Sequence, residues 1–135
     1  MLTMWQLSDL APLLSDHDGW AVDIQGQALL IRNEDNIEAF LAVSGEQILV
    51  EVLLFDAAQV KDTDALNREI LRTHKMFPLS TIGINAINGN DYYVAFGSLS
   101  SQSKAESVVI EVATLFRNVE AFIDLYQDFL KEQTA

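Results

Sequence analysis

The sequence predicts a single α+β domain over residues 1–135, with a mainly antiparallel sheet of five or six strands and helices packed on it. Apolar residues recur at every second position in some segments, as in strands, and at every third or fourth position in others, as in helices. The predicted order is a helix, three or four strands, a helix, two strands and a long C-terminal helix. Half of the residues are hydrophobic, which is enough for one core.

The first helix is predicted to begin at Thr3. Thr3 and Gln6 fit a capping box, and Leu2 and Leu7 fit the hydrophobic staple that accompanies such a box. Pro12 cannot donate a hydrogen bond within the helix, so we expect a kink or a restart of the helix before it.

The next region has the period of two that is typical of strands. Trp20, Val22 and Ile24 alternate with less hydrophobic residues, as in a half-buried strand. Clusters rich in Gly, Asn, Asp, Glu and Ser predict turns that divide the region into three or four strands. These clusters are at residue 26, residues 33–36 and residues 44–46.

The strand predicted at Gln47–Phe55 is apolar on both faces. If helices cover the face that carries Val50 and Val52, the apolar residues of the other face remain to be buried by something else. Large apolar patches on soluble domains tend to be interfaces. We therefore predict a partner-binding surface. It consists of Phe40, Leu49, Leu53 and Phe55. Burial beneath the first helix and ordinary dimerisation are alternatives, and a dimer interface on the last helix is a further one.

The second helix is predicted to begin near Asp62 and to end at Phe77, because Pro78 stops it. Its buried side is predicted from the helical spacing of its apolar residues. These residues are Leu66, Ile70, Leu71 and Phe77.

A hairpin and a long helix complete the predicted chain. The segment Asn88-Gly89-Asn90 separates strands at residues 82–87 and 92–96, because these residues tolerate the positive φ angles of tight turns. Ser103 and Glu106 fit a second capping box. The last helix is predicted to extend from Lys104 to about Lys131, with a buried stripe that includes Val108, Val112, Leu115, Val119, Phe122 and Tyr126.

The charge balance limits the classes of partner. The chain has 20 acidic and 8 basic residues, a formal net charge of −12. This charge repels nucleic-acid phosphates and anionic lipids, so we expect no nucleic-acid binding and no membrane-surface binding. No apolar run reaches the ~20 residues that cross a bilayer, so we expect no membrane insertion. No Lys or Arg precedes Arg32, so the basic flank of a secretory signal is missing and a cytoplasmic location is expected.

No catalytic, cofactor or metal site is predicted. The chain has no cysteine, which excludes disulfides, zinc–thiolate sites and thiol catalysis. Asp16, His17 and Asp18 are adjacent in sequence, a spacing atypical of metal ligands. The alternative to protein binding is a small-molecule enzyme or sensor with an anion site near Arg72, His74 and Lys75. A solvated basic stripe with His74 at its apolar boundary explains the same residues.

Two segments resemble the YjfI-like family of bacterial proteins. They are LNREILRTHKMFPLSTIGI at Leu66–Ile84 and YYVAFGSLSSQSK at Tyr92–Lys104, and the resemblance covers nearly the whole chain. The family has no established activity, so the resemblance implies no catalytic residues. The family's association with neighbours that resemble phage-shock membrane-stress proteins implies an envelope-related partner.

More loosely, the order of the elements resembles the fold of type III secretion chaperones. The resemblance implies a small acidic dimer that holds a partner segment on an apolar surface. From the residues and these resemblances together, we expect a non-enzymatic protein-binding module, chaperone- or adaptor-like, homodimeric and without a cofactor. A purely structural subunit is a third possibility.

Overall fold

The computed structural model describes residues 4–132, which form a six-stranded antiparallel sheet with three α-helices. The helices are α1 (Leu7–Ser15), α2 (Thr63–Thr73) and α3 (Ala105–Tyr126). The strands are β1 (Ala21–Gln25), β2 (Ala28–Arg32), β3 (Glu38–Ser44), β4 (Gln47–Asp56), β5 (Thr81–Ile87) and β6 (Asn90–Ser100). The order across the sheet is β1-β2-β3-β4-β6-β5, which confirms the predicted α+β class and order of elements.

The helices pack on one face of the sheet, which we call the core face. Its central strand β4 contributes Ile48, Val50 and Val52, which alternate with residues on the opposite face. The stripe predicted on α3 is buried against the sheet, with Leu115 and Phe122 fully enclosed. At about 25 cal/mol per Å² of apolar surface removed from water, this core is the main source of stability.

The β5–β6 hairpin forms at the predicted turn. Asn88 and Gly89 have φ angles of 52° and 83°, the left-handed conformations that a two-residue turn between antiparallel strands requires. β6 continues to Ser100, beyond the predicted end at residue 96, because Gln47 at the start of β4 pairs with Ser100.

The predicted start of α1 is wrong. The helix begins at Leu7, after an extended Gln6 whose side chain makes no capping bond. The backbone N–H of Trp5 donates to the Ser101 carbonyl at 2.8 Å, and its indole Nε1–H donates to the Ser103 carbonyl at 2.6 Å. These two bonds keep the segment before α1 extended. The predicted cap and staple residues Leu2 and Thr3 lie outside the described residues.

The second predicted capping box also fails to form. α3 begins at Ala105, so Lys104 occupies the cap position, and its side chain makes no capping bond. Ser103 lies one position too early to cap the helix.

α2 begins as predicted, with the Asp62 carboxylate accepting a hydrogen bond from the Ala65 N–H at 3.1 Å. Leu66 and Ile70 are buried, but Leu71 is 72% exposed, so its predicted burial is wrong. Leu71 follows Ile70 by one position, about 100° around the helix, and this rotation places it on the outer side. Phe77 packs edge-on against Phe122 of α3, with ring centroids 4.6 Å apart.

A β-bulge in β4 changes the face on which Phe55 lies. Leu53 pairs with Val94 of β6, and Phe55 pairs with the very next residue, Tyr93, so β4 has one extra residue at Leu54. An extra residue reverses the alternation of side chains along a strand. Phe55 therefore points into the core, where it is buried with its ring 5.2 Å from that of Tyr93. The prediction that Phe55 shares a surface with Leu49 and Leu53 is wrong.

Candidate functional site

The face of the sheet opposite the core face has a continuous apolar centre, which we call the open face. Its residues come from four neighbouring strands and alternate with core residues. They are Leu30 of β2, Phe40 and Ala42 of β3, Leu49 and Leu53 of β4, and Val94 and Phe96 of β6. Cross-strand pairing joins them, because Leu30 lies opposite Phe40, Ala42 opposite Leu49, and Leu53 opposite Val94.

Phe40 and Leu53 are the most exposed residues of the open face, at 41% and 45%. Leu49 is half-buried by its neighbours. Val94 is almost fully covered, although it lies outside the core cluster. The Asn85 side-chain amide donates to the Glu51 carboxylate at 2.9 Å, a bond that crosses β6 at the level of Val94. The open face therefore has a packed centre and two protruding apolar side chains.

The structure brings together three of the four residues that the sequence predicts for a partner surface. Phe40, Leu49 and Leu53 share the open face, and Phe55 does not. Sequence reasoning missed Leu30, Ala42, Val94 and Phe96, although the period of two in β6 was a signal that could have placed the last two on this face.

An apolar cavity, which we call the notch, lies at one end of the open face. Pairing between β3 and β4 ends at Phe40 and Glu51, so Val52 and Leu53 continue past their neighbouring strand. The gap between the sheet and α3 has a volume of about 260 Å³. Its lining residues are Asn36, Ile37, Glu38, Phe40, Val52, Leu53, Val119 and Ile123.

Three acidic residues, Asp35, Glu120 and Asp124, are each adjacent in the chain to a residue that lines the notch. The nearby Asp35 carboxyl raises the pKa of Glu120, through a hydrogen bond that needs the protonated form and through its negative charge, and burial and the charge of Asp124 add to the effect. Arg32 forms the one ion pair within residues 4–132, with Glu38, at 2.6 Å. In this part of the chain, Asp35, Glu120 and Asp124 therefore form no ion pair.

The residues of the alternative anion site do not act together in the structure, as His74 and Arg72 show. The His74 Nδ1 accepts a hydrogen bond from the Ile82 N–H at 3.2 Å and so fixes the start of β5. Arg72 and Arg68 line a surface hollow that also contains Asp62, Asp64 and Glu69. The three carboxylates outnumber the two arginines, so the hollow is a poor site for an anion.

A buried polar cluster lies between α3 and the start of β5, and sequence reasoning did not predict it. The Asn118 amide donates to the Pro78 carbonyl at 2.8 Å and to the Ser80 hydroxyl at 2.9 Å. Glu111 is only 6% exposed, its Oε2 has no hydrogen-bond partner within the described residues, and burial raises its pKa. A Cβ on Gly97 would lie 2.8 Å from that oxygen, so glycine makes room for the carboxyl group.

A second apolar surface lies at the β5 edge of the sheet. A cavity of about 290 Å³ there is lined by Asn67, Ile70, Leu71, Ile82, Gly83, Ile84 and Tyr93. Leu71 and Ile84 are exposed at its rim, and the Tyr93 hydroxyl donates to Asn67 inside it.

None of the helices between residues 4 and 132 is both long and apolar enough to span a membrane.

Comparison with known proteins gives a family, two relatives and a fold. Residues 4–130 match the family model of an uncharacterised protein conserved in bacteria, DUF2170. The chain is 26% identical over 129 residues to the uncharacterised protein YjfI of Escherichia coli K12, covering 93% of this chain and 97% of YjfI. The YjfI protein of Escherichia coli O157:H7 matches equally. These matches confirm the predicted YjfI-like resemblance.

The crystal structure of YbjN from E. coli has the same fold. It superposes with a TM-score of 0.73 at 18% sequence identity, covering 98% of this chain and all of the YbjN chain. The looser resemblance to type III secretion chaperones stays a prediction.

Proposed function

The chain belongs to the DUF2170 family of bacterial proteins, and on that premise we propose that it is a cytoplasmic, non-enzymatic protein-binding module. It presents the open face to a partner protein, as a chaperone or adaptor does, in the envelope-stress setting that the family resemblance implies. The single observation that carries this proposal is the apolar centre of the open face, which no described helix covers.

The open face departs from the usual pattern of a one-sided antiparallel sheet. Such sheets place polar residues toward water and apolar residues toward the core. Here Phe40, Leu49 and Leu53 occupy water-facing positions on adjacent central strands. Exposing them costs free energy that a partner recovers by covering them, at about 25 cal/mol per Å² of apolar surface.

The partner's apolar segment is expected to be neutral or cationic. The net charge of −12 disfavours an acidic partner, and three carboxylates, those of Asp23, Glu38 and Glu51, lie on the same side of the sheet as the open face. Only Glu38 among them is neutralised, by Arg32.

Replacing Leu53 by Asp is expected to lower partner recovery at least about tenfold, because a carboxylate in the apolar contact loses its hydration. Affinity capture from a bacterial lysate, followed by quantitative mass spectrometry, measures the effect. Ile24→Asp is the control, since Ile24 is also an exposed strand residue but lies on edge strand β1. Circular dichroism and thermal melting verify that both variants fold. Equal recovery by both folded variants, or unfolding by Leu53→Asp alone, would contradict the proposal.

We further propose that the protein is a homodimer that forms through edge strand β5. Every other strand contains at least one charged residue, whereas β5 (TIGINAI) contains none. Charged side chains on edge strands normally oppose pairing with another chain. The chain has a net charge of −12, and the other edge strand, β1, contains Asp23. Two copies therefore meet with less electrostatic repulsion at β5 than at β1. Leu71 and Ile84, exposed beside β5, supply apolar contact.

The Ile84→Glu substitution is expected to raise the dimer dissociation constant at least about tenfold. In a symmetric dimer it adds one negative charge from each copy to the contact. Sedimentation equilibrium measures this constant, and Ile24→Glu on the opposite edge strand is the control. A wild-type protein that stays monomeric at high concentration, or an Ile84→Glu variant that dimerises normally, would exclude this interface.

A further inference from the structure

We propose that the notch is the anchor site of the open face and that it receives a large apolar side chain from a cationic amphipathic helix of the partner protein. This inference rests on the proposed function, since it names the class of partner segment that the open face binds.

The shape of the notch fits a side-chain anchor. Val52 and Val119, both almost fully buried, line its inner part, so an inserted side chain would contact the core directly. Phe40, Leu53 and Ile123 are exposed at its mouth and would surround the inserted group. Apolar pockets rimmed in this way are where interface anchors contribute most binding energy. The cavity of about 260 Å³ has room for such a side chain.

The charges around the notch determine the sign of the partner. Asp35, Glu120 and Asp124 are each adjacent in the chain to a lining residue and form no ion pair within residues 4–132. The lining residue Glu38 is paired with Arg32. Asp35 and Glu120 are close enough to hydrogen-bond, so one negative charge disfavours the other there. Lysine or arginine side chains from a partner would relieve this repulsion, and complementary charge also speeds association.

The spacing of two of these acids favours a helical partner. Glu120 and Asp124 are four residues apart on α3, so their side chains lie one turn apart on one side of the helix. Cations spaced at i and i+4 on a second helix match this separation, while the apolar side of that helix faces the notch. A second copy of the chain is a poor occupant, because it would bring the same acidic residues to the same rim.

The test uses a synthetic peptide of roughly 18 residues, long enough for appreciable helix formation. One side carries Leu with a central Phe, and lysines flank it at i and i+4. Three related peptides replace the central Phe by Ala, replace the lysines by Glu, or place a proline at the centre. Fluorescence polarisation measures their affinities for the full chain.

We expect the parent peptide to bind at least about tenfold more tightly than each of its three relatives. In the protein, Ile123→Glu is expected to weaken binding at least about tenfold, and Ile110→Glu, an exposed control on the same helix, is expected to leave it unchanged. Combined Glu120→Gln and Asp124→Asn substitutions should reduce the salt dependence of binding, whereas Glu106→Gln should not.

Three outcomes would overturn the inference: no binding of the parent peptide, equal binding by the Ile123→Glu and Ile110→Glu proteins, or equal binding of the proline peptide. The last outcome would indicate an extended segment in place of a helix. If any of these occurs while Leu53→Asp still abolishes partner capture, the open face binds its partner by another mode and the proposed function stands. If Leu53→Asp also has no effect, both fail.

Discussion

Replacing Phe55 by Ala is expected to lower the free energy of unfolding by about 3–5 kcal/mol, the usual cost of removing a buried phenylalanine ring. The β-bulge at Leu54 turns Phe55 into the core, where its ring packs 5.2 Å from that of Tyr93. The truncation removes this contact and leaves a cavity that the bulged strand cannot readily close. Urea unfolding followed by circular dichroism measures the loss.

Leu53→Ala is the paired measurement, because Leu53 lies two residues earlier on the same strand. Leu53 is 45% exposed on the open face, so its truncation is expected to cost less than about 1.5 kcal/mol. Similar losses for the two variants would mean that the strand alternates without a bulge. A larger loss for Leu53 would place that residue in the core and remove it from the open face.

The alternation of apolar residues predicted the faces of β4 as far as Leu53 and failed at Phe55. The period of two is a local property, so it is visible in the sequence. The bulge is a property of the pairing between two strands, since Leu53 and Phe55 face consecutive residues of β6. No turn residue or glycine marks it within β4. The sequence therefore predicted Phe40, Leu49 and Leu53 together on one face but could not separate Phe55 from them.

Features that depend on tertiary contact were likewise beyond sequence patterns. The local sequence at Thr3 predicted a capping box. Trp5 instead makes two hydrogen bonds to the segment before α3, so α1 begins later in the chain, at Leu7. The notch arises because β4 extends past β3 beneath α3, a difference in strand pairing that neither strand reveals alone. The order of elements was predictable because each helix and strand has its own period and its own turn residues.

The two proposed contact surfaces differ in charge in a way that is consistent with their different partners. β5 has no charged residue, whereas three acids close to the notch, Asp35, Glu120 and Asp124, form no ion pair within residues 4–132. An uncharged edge suits contact between identical chains, whereas an acidic rim suits a cationic partner and repels a second copy. The two surfaces can therefore be occupied at the same time, because β5 is an edge strand and β3 lies three strands away from it in the sheet.

Glu111→Gln is expected to raise the free energy of unfolding by about 1 kcal/mol near neutral pH, because it removes the extra cost that a buried group without a partner carries when it is charged. Glu111 is 6% exposed, its Oε2 has no hydrogen-bond partner within the described residues, and burial raises its pKa above the ordinary value of 4.5. Glutamine keeps the size of the side chain and removes the charge that burial disfavours.

The pH dependence of that gain identifies its cause. A raised carboxyl pKa means that the folded chain holds the proton more tightly than the unfolded chain, so the contribution of Glu111 to wild-type stability falls as the pH rises from 4.5 through the raised value. Well below pH 4.5 the carboxyl is protonated in both states and its charge costs nothing. The advantage of Glu111→Gln over wild type should therefore grow with pH in urea unfolding experiments, while Glu106→Gln, an exposed substitution on the same helix, should show no such growth. An advantage that does not change with pH would mean that packing against Gly97, and not the buried charge, limits the stability of this part of the fold.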